Sequence, residues 1–290
     1  MKLFAPKYYA LFSCVAEKCR HTCCAGWEID IDNSTMNQYK ALSVPYSDVI
    51  KNSITNTDPP HFILQKYDRC PHLDDNGLCN IIKELGDDYL CDICREHPRF
   101  YNYTNKGKEV GIGISCEEAC RIVLNSDDFD LFDMISEDEE PVEMLEFDPT
   151  ENRERIFKML KLDSLSFDEK IGAICGDYAI SLDAIDFGGL LDSLDYLDSD
   201  HRSLFSCDNY VSTTRNHEEL IRLLAYFIYR HASESFCMED LRASIGLSLV
   251  LTLIVSAASE KLDIYDVARI VSKEIEYSEE NTELIKSYFV

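Results

Sequence analysis

The stretch FSCVAEKCRHTCCAGWEIDID, residues 12–32, decides how the N-terminal part of this chain folds. It carries Cys14, Cys19, Cys23 and Cys24 within eleven residues. Thiolates are the ligands of tetrahedral zinc sites and of iron–sulfur clusters. A segment this rich in cysteine indicates short elements folded around a metal instead of around a large apolar core.

Three more cysteine groups follow, so that ten of the thirteen cysteines lie in residues 1–120. The N-terminus lacks the apolar core and cleavage site of a secretory signal, and we expect a cytoplasmic location. Thiols stay reduced there, so the clustered cysteines are predicted to be metal ligands and not disulfides. The later groups are Cys70-Pro71-His72-Leu73 with Gly77-Leu78-Cys79, then Cys91-x2-Cys94 with His97-Pro98-Arg99, and then Cys116 with Cys120.

The residues leave the choice of metal open. Zinc sites usually use two close cysteine pairs, and only Cys91 and Cys94 form such a pair. The other cysteines arrive singly or as the vicinal Cys23-Cys24, which favours an iron–sulfur cluster, most simply 4Fe-4S, with zinc as the alternative. Nine thiols exceed one four-thiolate centre, so either a second site exists or some are structural. The predicted ligands are Cys14, Cys19, Cys23, Cys24, Cys70, Cys79, Cys91, Cys94 and Cys116; Cys120 is undecided, and Cys175, Cys207 and Cys237 are interpreted as packing residues.

Charge limits the classes of partner. The net charge is −26, which argues against the phosphate neutralisation that nucleic-acid binding requires. Residues 1–120 hold 13 Lys/Arg against 17 Asp/Glu, and the rest hold 15 against 37. The second part suits a basic ligand or a Lys-bearing protein, although an exposed acidic surface needs no partner. The longest apolar run, 247–258, is shorter than the ~20 residues of a membrane span, so no membrane is expected.

The chain is predicted to be mainly α, in three zones. Residues 1–125 form a cysteine-rich metal-binding domain of short elements, 126–151 an acidic loop or linker, and 152–290 an acidic helical domain. The middle zone rests on twelve Asp/Glu without Lys or Arg between 127 and 151. Helical spacing predicts helices in the third zone, with Ser166 and Glu169 as a capping box and Asp263 as an N-cap. The predicted helices span 153–160, 167–181, 217–232, 238–260, 264–276 and 280–289.

The order of the cysteine motifs resembles the flagellin lysine-N-methylase family, and more loosely a broader group of zinc- or iron-chelating cysteine-rich domains. The resemblance covers residues 8–124. It is carried by Phe12-x-Cys14-x4-Cys19-x3-Cys23-Cys24-x-Gly26-Trp27-x-Ile29-x-Ile31-Asp32, Cys70-Pro71-x-Leu73-x3-Gly77-Leu78-Cys79, Leu90-Cys91-x2-Cys94-x2-His97-Pro98-Arg99 and Ile114-Ser115-Cys116-x2-Ala119-x-Arg121.

The resemblance implies methyl transfer from S-adenosylmethionine to Lys side chains of flagellin in a bacterial cytoplasm, with an iron–sulfur centre required. The residues alone do not show a methyltransferase. A doubly wound nucleotide-binding fold needs a Gly-rich turn after a strand, and the candidate Gly111-Ile112-Gly113 lacks the third glycine. We therefore expect S-adenosylmethionine, if it is used, beside the metal centre.

Five residues next to the cysteines are candidates for the rest of the site. Tyr101 and Tyr103 are predicted catalytic residues, because methylation needs a neutral amine held in line with the methyl group. His97, Arg99 and Trp27 are predicted to bind the cofactor, with Arg99 placed to pair with a carboxylate. Each has an ordinary structural interpretation as well.

Two other functions remain open. One is a non-catalytic zinc- or iron-chelating module whose acidic helical part docks a basic partner. The other is a redox protein that uses Cys91 and Cys94 as an exchangeable pair, which requires an exposed thiol of low pKa.

Overall fold

The computed structural model describes residues 1–142, 144–205 and 215–290. The chain is mainly helical with one small sheet, as the sequence predicts. It packs as two compact units. We call residues 14–98 the cysteine-rich unit, and residues 1–13 together with 99–290 the helical unit.

The cysteine-rich unit consists of short helices and isolated β-bridges around a small core. Ile29, Ile31, Tyr39, Ile50 and Phe62 form this core together with the buried Cys70 and Cys91. The bridges pair Ala25 with Arg69, Asp30 with His61, Ile54 with Phe62, and Leu73 with Cys79. The helices are α1 (Asn33–Ala41), α2 (Ser47–Asn52), α3 (Asn80–Leu85) and α4 (Asp92–Glu96).

Asp32 joins the beginnings of two of these helices. Its carboxylate accepts hydrogen bonds from Thr35 N at 2.9 Å, where α1 begins, and from Asp92 N at 3.0 Å, where α4 begins. A carboxylate at a helix N-terminus satisfies free N–H groups and the helix dipole. Burial opposes its charge, but these hydrogen bonds hold the pKa of Asp32 well below its usual range. Asp32 thereby ties the beginning of α4, which follows Cys91, to the beginning of α1.

The helical unit contains a four-stranded sheet in the order β2-β3-β1-β4. β1 runs parallel to β3 and antiparallel to β4, and β2 and β3 form a hairpin. Gly111 on β3 is required by close packing, since a Cβ there would lie 2.2 Å from Phe100 Cζ and 2.7 Å from Tyr229 Cε1. The strands are β1 (Lys2–Pro6), β2 (Arg99–Thr104), β3 (Gly107–Ile112) and β4 (Phe132–Glu137).

Helices α9 and α10 form the centre of this unit. α10 is buried on nearly all sides, which explains why it shows no polar face. It is long and apolar enough to cross a membrane, but 89% of its most apolar window is buried inside the protein, as in a core helix. The helices are α5 (Glu117–Leu124), α6 (Thr150–Leu160), α7 (Phe167–Tyr178), α8 (Phe187–Ser193), α9 (His217–Ala232), α10 (Met238–Ser259), α11 (Ile264–Val271), continued by the π-helix Ser272–Glu276, and α12 (Glu279–Lys286).

Both predicted helix starts are confirmed. Ser166 and Glu169 form a reciprocal capping box at the start of α7. The carboxylate of Asp263 accepts from the N–H groups of Tyr265 and Asp266 at the start of α11. Local side-chain chemistry determines these positions, so they can be read without tertiary information.

The bounds of the two units differ from the three predicted zones. Residues 99–125 pack with the helical unit and supply β2, β3 and α5. The acidic run is also more ordered than a linker, since β4 pairs with β1 through backbone hydrogen bonds that need no particular side chain. Its first acidic residues are held by cations of the same unit, with Asp127 Oδ1 2.7 Å from Arg222 Nη2 and Asp130 Oδ1 2.7 Å from Lys161 Nζ.

Candidate metal centre

Six of the nine predicted ligand cysteines converge inside the cysteine-rich unit. Cys91 Sγ and Cys94 Sγ lie 3.4 Å apart, and Cys23 Sγ and Cys24 Sγ 3.9 Å apart. The remaining thiols are close enough for their charges to interact, since Cys70 and Cys24 both affect the pKa of Cys94, and Cys23 affects that of Cys79. The six are Cys23, Cys24, Cys70, Cys79, Cys91 and Cys94.

Backbone pairing brings the first two groups together. Cys70 N donates to Cys24 O at 2.9 Å, and Ala25 bridges Arg69. Gly26 follows with φ +90°, a conformation that glycine adopts without strain. The vicinal cysteines are therefore held beside Cys70 although 46 positions separate Cys24 from Cys70 in the chain.

A tight loop then returns the chain to Cys79. Leu73 bridges Cys79, and the Asp74 carboxylate accepts from the N–H groups of Asn76 and Leu78. Gly77 provides the positive φ of +78° that the turn needs. Cys79 precedes α3 directly, and burial raises the pKa of its thiol although the N–H groups of Ile81 and Ile82 favour the thiolate.

Cys91 holds the same position at the start of α4, with Cys94 in its first turn. The hydrogen bond between their sulfurs shifts the pKa values of the two thiols in opposite directions. It lowers the pKa of Cys91 and raises that of Cys94. One sulfur of the pair therefore ionises much more readily than the other.

The thiols cannot all ionise together in the absence of a cation. Burial raises the pKa of Cys70 to about 11, and the nearby Cys79 and Cys91 thiols add to the rise. The hydrogen bond to Cys24, followed by burial, raises the pKa of Cys23. A bound metal reverses this balance, because it supplies the positive charge that deprotonates its thiol ligands. The donor set of this centre fits a thiolate-ligated metal.

Spacing bears on which metal fits. Across residues 1–142, 144–205 and 215–290, no three sulfurs lie within 4.8 Å of one another. Four thiolates on one tetrahedral zinc ion, with Zn–S near 2.3 Å, stand only about 3.8 Å apart. A four-iron cluster places a separate iron atom next to each thiolate and so spaces the sulfurs more widely. The Cys91–Cys94 and Cys23–Cys24 sulfurs, 3.4 and 3.9 Å apart, are spaced like ligands of one zinc ion.

Trp27 and His97 lie together in this unit. The Trp27 indole N–H donates to Cys23 O at 2.8 Å, and its ring centroid is 5.8 Å from that of His97. His97 Nε2 is buried and makes no hydrogen bond within the described part of the chain. Burial lowers the pKa of His97 to about 4, so the ring is neutral and offers a lone pair.

His72 is a buried structural residue to which the sequence interpretation gave no role. It is fully buried, with Nδ1 2.9 Å from Tyr46 Oη and Nε2 2.9 Å from Ser53 Oγ. Since Ser53 donates its own proton to Ile50 O, His72 Nε2–H donates to Ser53 and Nδ1 accepts from Tyr46. His72 thus ties the Cys70 loop to α2. Its position within Cys-Pro-His-Leu was the one available signal.

The other three predicted ligands are Cys14, Cys19 and Cys116. Cys14 is exposed and Cys19 half-buried, on either side of a short 3-10 helix, Ala16–Lys18. Cys116 belongs to the helical unit, where it precedes α5 and packs against the helical core. Cys120 is buried there, and its thiol donates to Tyr265 O at 3.5 Å. All three ligand assignments remain predictions, whereas the Cys120 contact is structural.

The three later cysteines differ from one another. Cys175 is half-buried against the helical core, in agreement with a packing role. Cys237 is exposed and caps α10, because its sulfur accepts from Asp240 N at 3.5 Å, so the packing interpretation is wrong for this residue. Cys207 lies outside the described residues.

Tyr101, Tyr103 and Arg99 lie on β2 in the helical unit. The Lys108 ammonium sits 3.9 Å from the centroid of Tyr101 and 5.7 Å from that of Tyr103, and both rings are partly exposed. These rings therefore already accept an amine cation. Arg99 Nε donates to Tyr9 Oη at 2.8 Å.

Comparison with known proteins gives partial matches. Proteins named lysine-N-methylase from Salmonella typhimurium and Salmonella choleraesuis are each 28% identical over 137 residues, 42% of this chain and 32% of theirs. A protein from Salmonella muenchen named flagellar biosynthetic protein FliU is 27% identical over 130 residues, 42% of this chain and 77% of its own. No family model and no solved structure matches. The matched part of this chain spans about a third of the two lysine-N-methylases, whose names suggest a methylase-related function.

Proposed function

We propose that this chain is an iron–sulfur-dependent protein lysine N-methyltransferase that uses S-adenosylmethionine, with flagellin as its substrate. The observation that carries the proposal is the convergence of the six thiols in a unit with few other core residues. The names of the partial relatives suggest methylation of lysine and a link to flagellar biosynthesis, and the choice of flagellin as substrate follows from the resemblance of the motifs.

Within the six, we assign Cys70, Cys79, Cys91 and Cys94 as the cluster ligands. Cys70 and Cys91 are the two buried members, and charge interactions link Cys91 to Cys79, Cys70 and Cys94. Cys23 and Cys24 lie beside this set on a more exposed loop. Iron–sulfur is proposed over zinc from the resemblance of the motifs, since the 3.4 Å between Cys91 Sγ and Cys94 Sγ is itself close to the spacing that a zinc ion imposes.

With all four thiolate positions of the cluster assigned, the amino and carboxylate groups of S-adenosylmethionine would bind beside the cluster and not on one of its irons. Trp27 and His97 are our candidates for contacting the cosubstrate, because the Trp27 indole is anchored to the ligand loop at Cys23. The buried lone pair of His97 Nε2 is free to accept a proton donor from the cosubstrate.

Tyr101 and Tyr103 are our candidates for binding the substrate lysine. The Lys108 ammonium over Tyr101 supports this assignment, since it shows that the rings attract a lysine side chain. Methyl transfer forms an N–C bond at the amine and releases the methyl from sulfur, after the ammonium has lost a proton. A substrate lysine therefore has to be held as the neutral amine in line with the methyl group.

The alternative is a non-catalytic zinc- or iron-chelating module. The specific observation in its favour is that the match covers only 32% of each lysine-N-methylase, so that the region responsible for catalysis in those proteins is not shown to be present here. The acidic helical part would then dock a basic partner.

Two measurements test the proposal. Anaerobically purified protein is first analysed for iron, acid-labile sulfide and zinc. We expect iron and sulfide in equal amounts; stoichiometric zinc without sulfide would refute the cluster. The protein is then incubated with flagellin and methyl-labelled S-adenosylmethionine under reducing conditions, with flagellin whose lysines are chemically blocked as the control.

We expect label in unblocked flagellin only. Iron and sulfide without any transferred label would support the chelating module over the enzyme. The Tyr101→Phe variant should retain transfer, because its ring remains, whereas Tyr101→Ala with Tyr103→Ala should lose most of it.

A further inference from the structure

A second group of metal-binding side chains lies in the cysteine-rich unit, separate in composition from the thiols. Glu28, Asp30 and His61 each present one ligand atom, and the three atoms lie within 4.8 Å of one another. His61 Nε2 is 3.8 Å from Glu28 Oε1. Within the described residues this is the one such trio of His, Cys, Asp or Glu donors.

The backbone builds this trio. Glu28 and Asp30 are both exposed while Ile29 between them is buried, so their side chains lie on the same side of the chain. His61 is paired with Asp30 through an antiparallel bridge. The neighbouring Ile29 and Ile31 are buried in the core, which fixes the segment in place. The arrangement therefore does not depend on long side chains meeting by chance on a mobile surface.

The orientation of the His61 ring is fixed by a threonine pair. Thr57 Oγ1 donates to Pro59 O at 2.9 Å, and Thr55 Oγ1, which accepts from His61 N, lies 2.6 Å from Thr57 Oγ1. Thr57 Oγ1 therefore acts as an acceptor toward His61 Nδ1, 3.3 Å away. His61 Nδ1 thus donates to Thr57, and Nε2 is the ring nitrogen that faces the Glu28 carboxylate.

A lone pair facing two carboxylates repels them unless a cation lies between them. A proton or a metal ion satisfies this requirement. An outer hydrogen bond at the other ring nitrogen is the usual partner of a metal-ligating histidine, because it sets the tautomer and the ring orientation. A metal about 2.0–2.2 Å from each donor would hold the donors roughly 3.4 Å apart, close to the 3.8 Å between His61 and Glu28.

We propose that Glu28, Asp30 and His61 form a second metal site, which binds a divalent cation such as Mn²⁺ through one imidazole and two carboxylates. Oxygen and imidazole donors suit harder cations than the thiols do. The two groups of side chains thus select different metals within one unit. Glu28 is largely exposed, so the site leaves positions open for water or a ligand.

Mn²⁺ is the probe for the test, because thiolates bind it weakly and its EPR signal reports the free ion. The full chain, purified anaerobically with its native metal content, is titrated with Mn²⁺ at moderate ionic strength. We expect one tight Mn²⁺ per chain above a weak background from the acidic surface.

The variants are His61→Ala and the double variant Glu28→Gln with Asp30→Asn. Both should bind Mn²⁺ at this site at least tenfold more weakly than the wild type. Both should keep the far-UV circular dichroism of the wild type. Glu17→Gln with Asp48→Asn removes two exposed carboxylates from the same unit, and this control should bind Mn²⁺ as the wild type does. Unchanged binding in the test variants, or equal loss in the control, would overturn the site.

A second measurement needs no variant. In the wild-type chain, substoichiometric Mn²⁺ should broaden the ring resonances of His61 before those of the other six histidines. Uniform broadening of all histidines would overturn the proposal. Because iron and sulfide content are measured independently, failure of this site leaves the cluster and the methyl transfer unaffected.

Discussion

Arg153 and Glu109 form a bidentate ion pair buried in the helical unit, with N–O distances of 2.6 and 2.7 Å. The pair joins α6 to β3, and the guanidinium also stacks over Phe132 at 5.0 Å and Tyr229 at 5.3 Å. Both charges are nearly inaccessible to water. Removal of one partner would leave the other charge buried and alone.

We therefore expect Arg153→Met to lower the free energy of unfolding by about 3–5 kcal/mol, as measured by urea denaturation followed by circular dichroism. The double variant Arg153→Met with Glu109→Leu should be less destabilised than Arg153→Met alone. The exposed pair of Arg155 and Asp177 is the control, and Arg155→Met should cost about 0–1 kcal/mol. Equal costs for the two arginines would contradict this account.

The cysteine assignment predicts a graded response to single substitutions. Cys91→Ser or Cys94→Ser should reduce bound iron and sulfide, with metal affinity falling roughly tenfold or more. Cys175→Ser and Cys237→Ser replace thiols in the helical unit and should leave the content unchanged. Metal analysis after anaerobic purification decides the matter; a loss of iron from the Cys237 variant would point to a general effect on folding.

The buried His231 makes the stability of the helical unit depend on pH. Burial alone would lower the pKa of His231, but the carboxylates of Glu234 and Glu276, which lie 3.8 and 3.3 Å from its ring nitrogens, raise the pKa above 6.5. The folded state thus binds this proton more tightly than the unfolded chain does. The resulting stability is fully present below about pH 6.5 and is lost as the pH rises through the raised pKa.

Thermal unfolding of the wild type between pH 6 and 9 measures this effect. The melting temperature should fall across that range more steeply than in His231→Gln, which has no proton to lose. Parallel curves for the two proteins would show that His231 does not contribute.

The packing around Gly111 predicts that a larger side chain there lowers the stability of the fold. A Cβ there would overlap the rings of Phe100 and Tyr229, so Gly111→Ala should destabilise the fold by about 1–3 kcal/mol. Gly172 in α7 has open space around it, and Gly172→Ala should stabilise the helix by about 0.5–1 kcal/mol. The midpoints of urea unfolding measure both changes in stability. If the two substitutions changed the stability in the same direction, the packing argument would be wrong.

The sequence predicted what depends on local chemistry. The periodicity of α9 places its apolar residues correctly from His217 to Ala232, and the capping box of α7 is read from two residues. The sheet was missed because β1 and β3 are six residues or shorter and lie a hundred positions apart. Pairing over that distance leaves no periodic signal in either strand.

The candidate site shows the same limit. Counting cysteines indicated a metal centre, but not that Cys23 and Cys24 would join Cys70 through a backbone hydrogen bond. Neither Glu28 nor His61 belongs to a recognisable motif, since a β-bridge between distant segments brings them together. Chemistry that depends on tertiary pairing is visible only in the structure.

The helical unit is discontinuous in the chain, and this has a consequence for synthesis on the ribosome. β1 is made first, but its partners β3 and β4 lie beyond residue 106, after the whole cysteine-rich unit. At ~5–20 residues per second, β1 waits roughly 5–20 s for them. During that interval all six converging thiols have been made while the sheet is still open, so the proposed metal centre can form before the larger part of the chain folds.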